Sequence, residues 1–301
     1  MCNIIHIDSL DIEELQIYRN CNEAQLLHYF EPNGGLFIAE SPMVVKRALD
    51  AGNKPFSMLM DEALLKNIGW NENEASIREK AECQSDILKI LDLCGDIPVY
   101  CADEALLGKL IGYKLTRGML CAMIRPQKAD IDEICKGAER IAVLDGVENP
   151  TNVGAIFRNA AALGIDALLL TNDCADPLYR RSLRVSMGTV LVMPWAILTS
   201  DHNDPKSNDY IEKLHDHGFT TVAMALRDNS VSPDDPELKR NGKIAIVLGN
   251  EGFGLSENII SKCDNTVMIP MQRGVDSLNV AAASAIAFWE MRTFRRSRCR
   301  S

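Results

Sequence analysis

The chain has no excess of basic residues, no long apolar run and no CxxC cysteine pair, and each absence weighs against a class of function. Thirty-two Lys and Arg stand against 42 Asp and Glu, a formal net charge of -10. Nucleic-acid binders usually carry a basic footprint, because neutralising phosphates releases counterions and supplies most of the non-specific affinity. Positive charge here is local instead. Arg292, Arg295, Arg296, Arg298 and Arg300 crowd the C-terminal tail, and Arg180, Arg181 and Arg184 crowd a short helical stretch. A charge run is commonly a solvated face, and the tail reads either as that or as an RNA contact. No stretch approaches the uninterrupted apolar length that a bilayer requires. The opening Met1-Cys2-Asn3-Ile4-Ile5-His6 lacks a basic region followed by an apolar core, so the chain reads as cytoplasmic. The ten cysteines are scattered without a CxxC pair, which argues for reduced thiols over a disulfide framework. His215-Asp216-His217, with His202 upstream, could be imagined as a metal site. It ends a helical pattern before Gly218-Phe219 and is read as a solvated helix end.

What is present is an ordinary globular composition, 47% hydrophobic and 25% charged over 301 residues, which suits two medium domains. In the first part short apolar runs alternate with helical ones: strand 36–40, helix 42–51, strand 57–60, amphipathic helix 76–94, strand 98–100, helix 103–110 and strand 119–123. That is a small α/β domain over residues 1–128. Pro and polar residues in Arg125-Pro126-Gln127-Lys128-Ala129-Asp130 then break the periodicity, so 129–138 is expected to be a linker and 139–301 a second domain. That domain opens on the buried-strand run Ile141 to Asp145. A helix from near Asn152, strand 167–170, helix 178–185, strand 190–193, helix 209–215 and strands 219–225, 243–248 and 266–269 follow, then a long helix from Ser277. Strands alternating with helices predict a mostly parallel sheet covered on both faces.

Three segments of this domain carry chemistry. In Asn149-Pro150-Thr151-Asn152-Val153-Gly154-Ala155-Ile156-Phe157-Arg158-Asn159, Pro150 and Asn152 suit a helix start, and Gly154 admits a close neighbour. Arg158 lies one turn beyond Gly154 on the same face. Taken alone, the segment is an N-capped helix with an exposed arginine. Gly249-Asn250-Glu251-Gly252-Phe253-Gly254 follows the strand ending at Leu248, so it leaves the carboxyl end of a parallel strand, where open α/β sheets place ligands. It lacks both the Lys-Ser/Thr of a phosphate-binding P-loop and GxGxxG spacing. Glu251 would repel a pyrophosphate, so the loop fits a cationic sulfonium better. In the third segment Ile269-Pro270-Met271 runs through Arg273 and Gly274 into Ser277-Leu278-Asn279-Val280, where Ser277 could serve simply as an N-cap.

In this order the three segments resemble the motifs of the SpoU-type (TrmH-like) RNA 2′-O-ribose methyltransferases, over roughly residues 139 to 292. The resemblance implies the SPOUT fold, with a C-terminal segment threaded into a trefoil knot, and an N-terminal domain similar to ribosomal-protein-like substrate-binding domains. It implies transfer of a methyl group from S-adenosylmethionine to a ribose 2′-hydroxyl of structured RNA, ribosomal RNA ahead of transfer RNA, with no metal required. It assigns Asn152, Arg158, Glu251, Ser277 and Asn279 to catalysis. Gly249, Ile269 and Leu278 match the positions that hold the cofactor, and Asn159 and the Ser186-x-Gly188 turn match frequent family positions. Ala281-Ala282 departs from a serine often found there. Whether Arg158 accepts the hydroxyl proton or only stabilises the alkoxide stays open. The helix after Ser277 carries apolar side chains almost all round, which calls for burial on more than one side and, with the resemblance, implies a homodimer. Two other readings compete. A nucleotide-dependent oxidoreductase lacks its glycine fingerprint here, and a catalytically idle RNA-binding factor on the same fold does not account for motifs that are all intact.

Overall fold

A computed structural model describes residues 3–9, 11–68, 85–111, 118–127, 129–198, 209–240 and 242–292. The chain divides into two compact units, one of Met1–Gln127 with Leu178–Val192, the other of Lys128–Pro177 with Met193–Ser301. The first unit thus has a main segment ending at Gln127 and a second piece, Leu178–Val192, from later in the chain.

In the first unit the elements are β1 (Asn3–His6), α1 (Gln16–Arg19), α2 (Glu23–Leu27), β2 (Leu36–Glu40), α3 (Pro42–Asp50), β3 (Pro55–Asp61), α4 (Glu62–Asn67), α5 (Ser85–Cys94), β4 (Pro98–Ala102), α6 (Glu104–Ile111) and β5 (Met119–Ile124). Residues 76–84 of the expected amphipathic helix lie outside the described residues. The sheet order is β1-β4-β3-β5-β2, with β1, β4 and β3 parallel and β5 antiparallel to both β3 and β2. Every residue of β2 is buried, and Leu36, Ile38, Leu59, Leu120 and Ala122 join Leu15, Ile17 and Leu26 in one core. α9 (Arg180–Val185) packs on β2. Arg180 pairs there with the buried Glu40 at 3.4 Å and its backbone N–H donates to Glu23 at 2.9 Å, while Arg47 donates to the Met187 carbonyl at 2.6 Å. Arg180 of the expected basic cluster is thus engaged by carboxylates inside the unit.

The expected strand at 190–193 is a 3-10 turn, Thr189–Leu191, entered through left-handed Gly188; the strand lies beyond Pro194, at Trp195–Leu198. Periodicity alone does not separate such short apolar runs. The expected linker carries helix α7 (Ile131–Lys136), with Asp130 as N-cap and Cys135 buried in the second unit's core.

That second unit holds β6 (Arg140–Leu144), α8 (Pro150–Leu163), β7 (Ala167–Thr171), β8 (Trp195–Leu198), α10 (Tyr210–Asp216), β9 (Thr220–Met224), β10 (Ile244–Leu248), α11 (Glu257–Lys262), β11 (Asn265–Val267) and α12 (Val280–Met291). All its strand pairs are parallel, in the order β11-β9-β10-β6-β7-β8. β6 and β10 are buried throughout, as expected of apolar runs in a sheet covered on both faces. From β6 the chain proceeds to β7 and β8 on one side, whereas from β10 it proceeds to β11 on the other. The carboxyl ends of β6 and β10 therefore flank a topological switch point, the crevice where open α/β sheets place ligands. Both the Asn149 segment and the Gly249 segment leave from that crevice.

Candidate active site

Loop residues after β6 and β10 are tied together before any ligand is considered. Asn149 is the N-cap of α8, its Oδ1 accepting from the Thr151 N–H at 2.9 Å, and Pro150 is the first helical residue. Asn152, expected at the helix start, lies inside the first turn, 7% exposed, and its side chain is released for other partners. Its Nδ2 donates to Glu251 Oε1 at 2.9 Å and its Oδ1 accepts from Asn279 Nδ2 at 3.0 Å. Glu251 also accepts the backbone N–H groups of Asn149 (3.2 Å) and Glu148 (3.3 Å). All three motifs thus meet through Asn152. Burial pushes the Glu251 carboxyl up, but Asn152 and the backbone N–H donors outweigh it and hold it below its ordinary value.

Asn279, not Ser277, caps the last helix: its Oδ1 accepts from Ala281 N–H at 2.9 Å, and α12 begins at Val280. The physical reason is that Ser277 and Leu278 complete the loop from Ile269, leaving Asn279 as the first side chain with cap geometry. One turn further, Asn159 Nδ2 donates to the Ala281 carbonyl at 2.8 Å and to Ser284 Oγ at 3.0 Å. That contact fixes α12 against α8 and supplies a serine three residues beyond the departure at Ala281.

A cavity of about 1050 Å³ opens beside this network, lined by Asn152, Gly249, Glu251, Ile269, Ser277, Leu278 and Asn279 among others. The structure therefore brings seven of the eight expected residues together. Arg158 is the exception: it is exposed on α8 and is not part of the cavity lining. Gly249 has a steric reason for being glycine, since a Cβ there would lie 2.5 Å from the Gly254 carbonyl carbon. The charged side chains of the lining are Glu148, Glu251 and Asp276 against one cation, Arg227, which pairs with Glu257.

Two residues of the glycine segment to which the sequence assigned no role also line the cavity. Asn250 Nδ2 donates to the Gly146 carbonyl at 2.7 Å, while its Oδ1 accepts from the N–H groups of Gly252 (2.8 Å) and Phe253 (3.2 Å). That makes Asn250 the brace of the glycine loop, a role its place beside Gly249 hinted at. Phe253, flanked by glycines, projects from the same loop. The histidines considered for metal go separate ways, His215 to Thr221 and Asp264 and His217 to Asp132; His202 lies outside the described residues, as do Arg295, Arg296, Arg298 and Arg300.

The sequence profile of the SpoU rRNA Methylase family matches residues 139–289. A Mycobacterium tuberculosis protein named as an uncharacterized tRNA/rRNA methyltransferase is 33% identical over 294 residues, covering 95% of this chain and 93% of that protein. A 23S rRNA (guanosine-2′-O-)-methyltransferase of Photobacterium profundum is 33% identical over 177 residues, 57% of this chain and 69% of its own. The crystal structure of an AdoMet-bound rRNA methyltransferase from Sinorhizobium meliloti shares the fold, with a TM-score of 0.72, 22% identity and coverage of 96% of this chain and 97% of that one. With the profile spanning half the chain and such a relative matching nearly all of it, the chain belongs to the SpoU rRNA methylase family and is an RNA methyltransferase.

Proposed function

We propose that the chain transfers the methyl group of S-adenosylmethionine to a ribose 2′-hydroxyl of structured RNA, with ribosomal RNA preferred over transfer RNA. The observation that carries this reading is the Glu251–Asn152–Asn279 network, which ties three separate segments into one wall of the cavity. The cavity suits the cofactor. Its glycine loop folds back on itself so closely that no Cβ fits at Gly249, and three carboxylates against one paired guanidinium favour a cationic ligand. S-adenosylmethionine supplies an electrophilic methyl group on a sulfonium that is already a good leaving group. What remains for the protein is to hold a hydroxyl in line at near-attack distance and to manage its proton.

Glu251, kept ionised, fixes the Asn152 carboxamide, and Asn152 in turn fixes Asn279 beside Ser277. Arg158 is the group assigned to the hydroxyl. A guanidinium ordinarily keeps its proton, so its role is to stabilise the developing alkoxide, or to accept the proton when coupled to an RNA phosphate. Its exposed place on α8 is met by pairing two copies so that Arg158 of one copy serves RNA held at the cavity of the other. α12 offers a surface for that pairing: Ala282, Ile286 and Trp289 recur on one face, with Ile286 37% and Trp289 53% exposed. The test is incubation with methyl-labelled S-adenosylmethionine and unmodified ribosomal or transfer RNA. Label in ribosomal RNA supports the reading; label confined to transfer RNA redirects the substrate, and no label in either favours an RNA-binding factor without activity.

A further inference from the structure

Phe253 is 95% exposed, more than any other large apolar side chain among the described residues. One exposed apolar side chain is ordinary by itself, but the backbone beneath this one is pinned. Asn250 Oδ1 holds the N–H groups of Gly252 and Phe253, and the Gly254 N–H donates to the Asn250 carbonyl at 3.0 Å. Its flanking residues are glycines, so no adjacent side chain crowds either ring face. The residue also lines the same cavity as Asn152, Glu251 and Asn279.

Charge narrows what could cover it. Glu148, Glu251 and Asp276 line the cavity, and its one guanidinium is paired with Glu257, so a phosphate gains little at this wall. An uncharged π-face is the chemistry that fits, and single-stranded or splayed RNA is recognised largely by bases stacked on aromatic side chains. We propose that Phe253 is a stacking platform for an unstacked nucleobase at the methylated ribose or next to it, a positioning residue for the RNA rather than a holder of the cofactor. The proposal rests on the RNA methyltransferase reading above.

The experiment compares the full chain with Phe253→Ala, Phe253→Leu and Phe253→Trp. A short single-stranded oligoribonucleotide with a central 2-aminopurine reports stacking as fluorescence quenching. Wild type and Phe253→Trp should quench; Phe253→Ala and Phe253→Leu should quench weakly and bind about tenfold less tightly, toward the lower end of what one base–aromatic stack contributes. In methyl transfer to ribosomal RNA the alanine variant should raise KM for RNA by a similar factor while kcat and S-adenosylmethionine affinity stay within about twofold. Equal quenching by wild type and Phe253→Ala, or none by either, overturns the platform. So does a loss confined to cofactor affinity, which would put the adenine on the ring, or a fall in molecular mass, which would put a second copy there. Phe253-dependent quenching without methyl transfer would instead overturn the activity and leave the platform standing.

Discussion

Arg158 and Glu251 show how differently two side chains assigned to one reaction can relate to the fold. Arg158 is exposed and lies outside the cavity lining, so Arg158→Ala should leave unfolding within about 0.5 kcal/mol of the parent, as surface substitutions usually do. Methyl transfer should nevertheless fall by orders of magnitude with S-adenosylmethionine affinity nearly unchanged, a split read by steady-state kinetics beside calorimetry. Near-parental turnover would remove Arg158 from the reaction. Glu251 is coupled to stability as well, because its folded carboxyl sits below its ordinary value of 4.5. A depressed carboxyl contributes stability that is fully present above the unfolded value and is lost as pH falls through the folded one. Urea midpoints should therefore drop on acidification below about pH 4.5, less so in Glu251→Gln. Asn152, Glu251 and Asn279 were legible from their motifs, whereas the absence of Arg158 from the cavity lining was not. Spacing from Gly154 says which residues share a helix face, but not where that face points relative to the cavity.

Among the elements, the strands β6 and β10 were readable because apolar runs buried on both faces leave an unbroken sequence signal. Boundaries were not. Two asparagines, Asn149 and Asn279, cap the helices expected to start at Asn152 and Ser277, since several cap-competent residues stand in a row and only the tertiary partner decides which is used. The glycine loop after β10 is the element proposed to wall the cofactor. Gly249→Ala would bring a methyl to 2.5 Å from the Gly254 carbonyl carbon and 2.6 Å from the Leu255 nitrogen. These are backbone atoms that cannot swing aside, so the loop itself must move. Calorimetric titration should show S-adenosylmethionine affinity lost by about tenfold or more while the thermal midpoint changes modestly; unchanged affinity would mean the loop does not form the cofactor wall.

At the scale of the whole molecule, the first unit is discontinuous: Leu178–Val192 belongs with Met1–Gln127, and Leu178, Leu183 and Val190 are each no more than 2% exposed. A chain cut to begin at Ala129 would strip the sheet on which this segment packs, and each uncovered Leu or Val forfeits about 1.5–3 kcal/mol of burial. Such a fragment should melt lower and scatter light as aggregates, unless 178–192 is replaced by a short polar connection; clean folding of the simple truncation would contradict the division. The sequence could not show this, because contacts between distant segments leave no periodicity. The most direct test of the central claim is where the methyl group lands. RNA labelled by the protein from methyl-tritiated S-adenosylmethionine is hydrolysed in alkali, which cleaves only beside a free 2′-hydroxyl. The account expects the label in alkali-resistant dinucleotides; label released as mononucleotides would place the methyl on a base and contradict it.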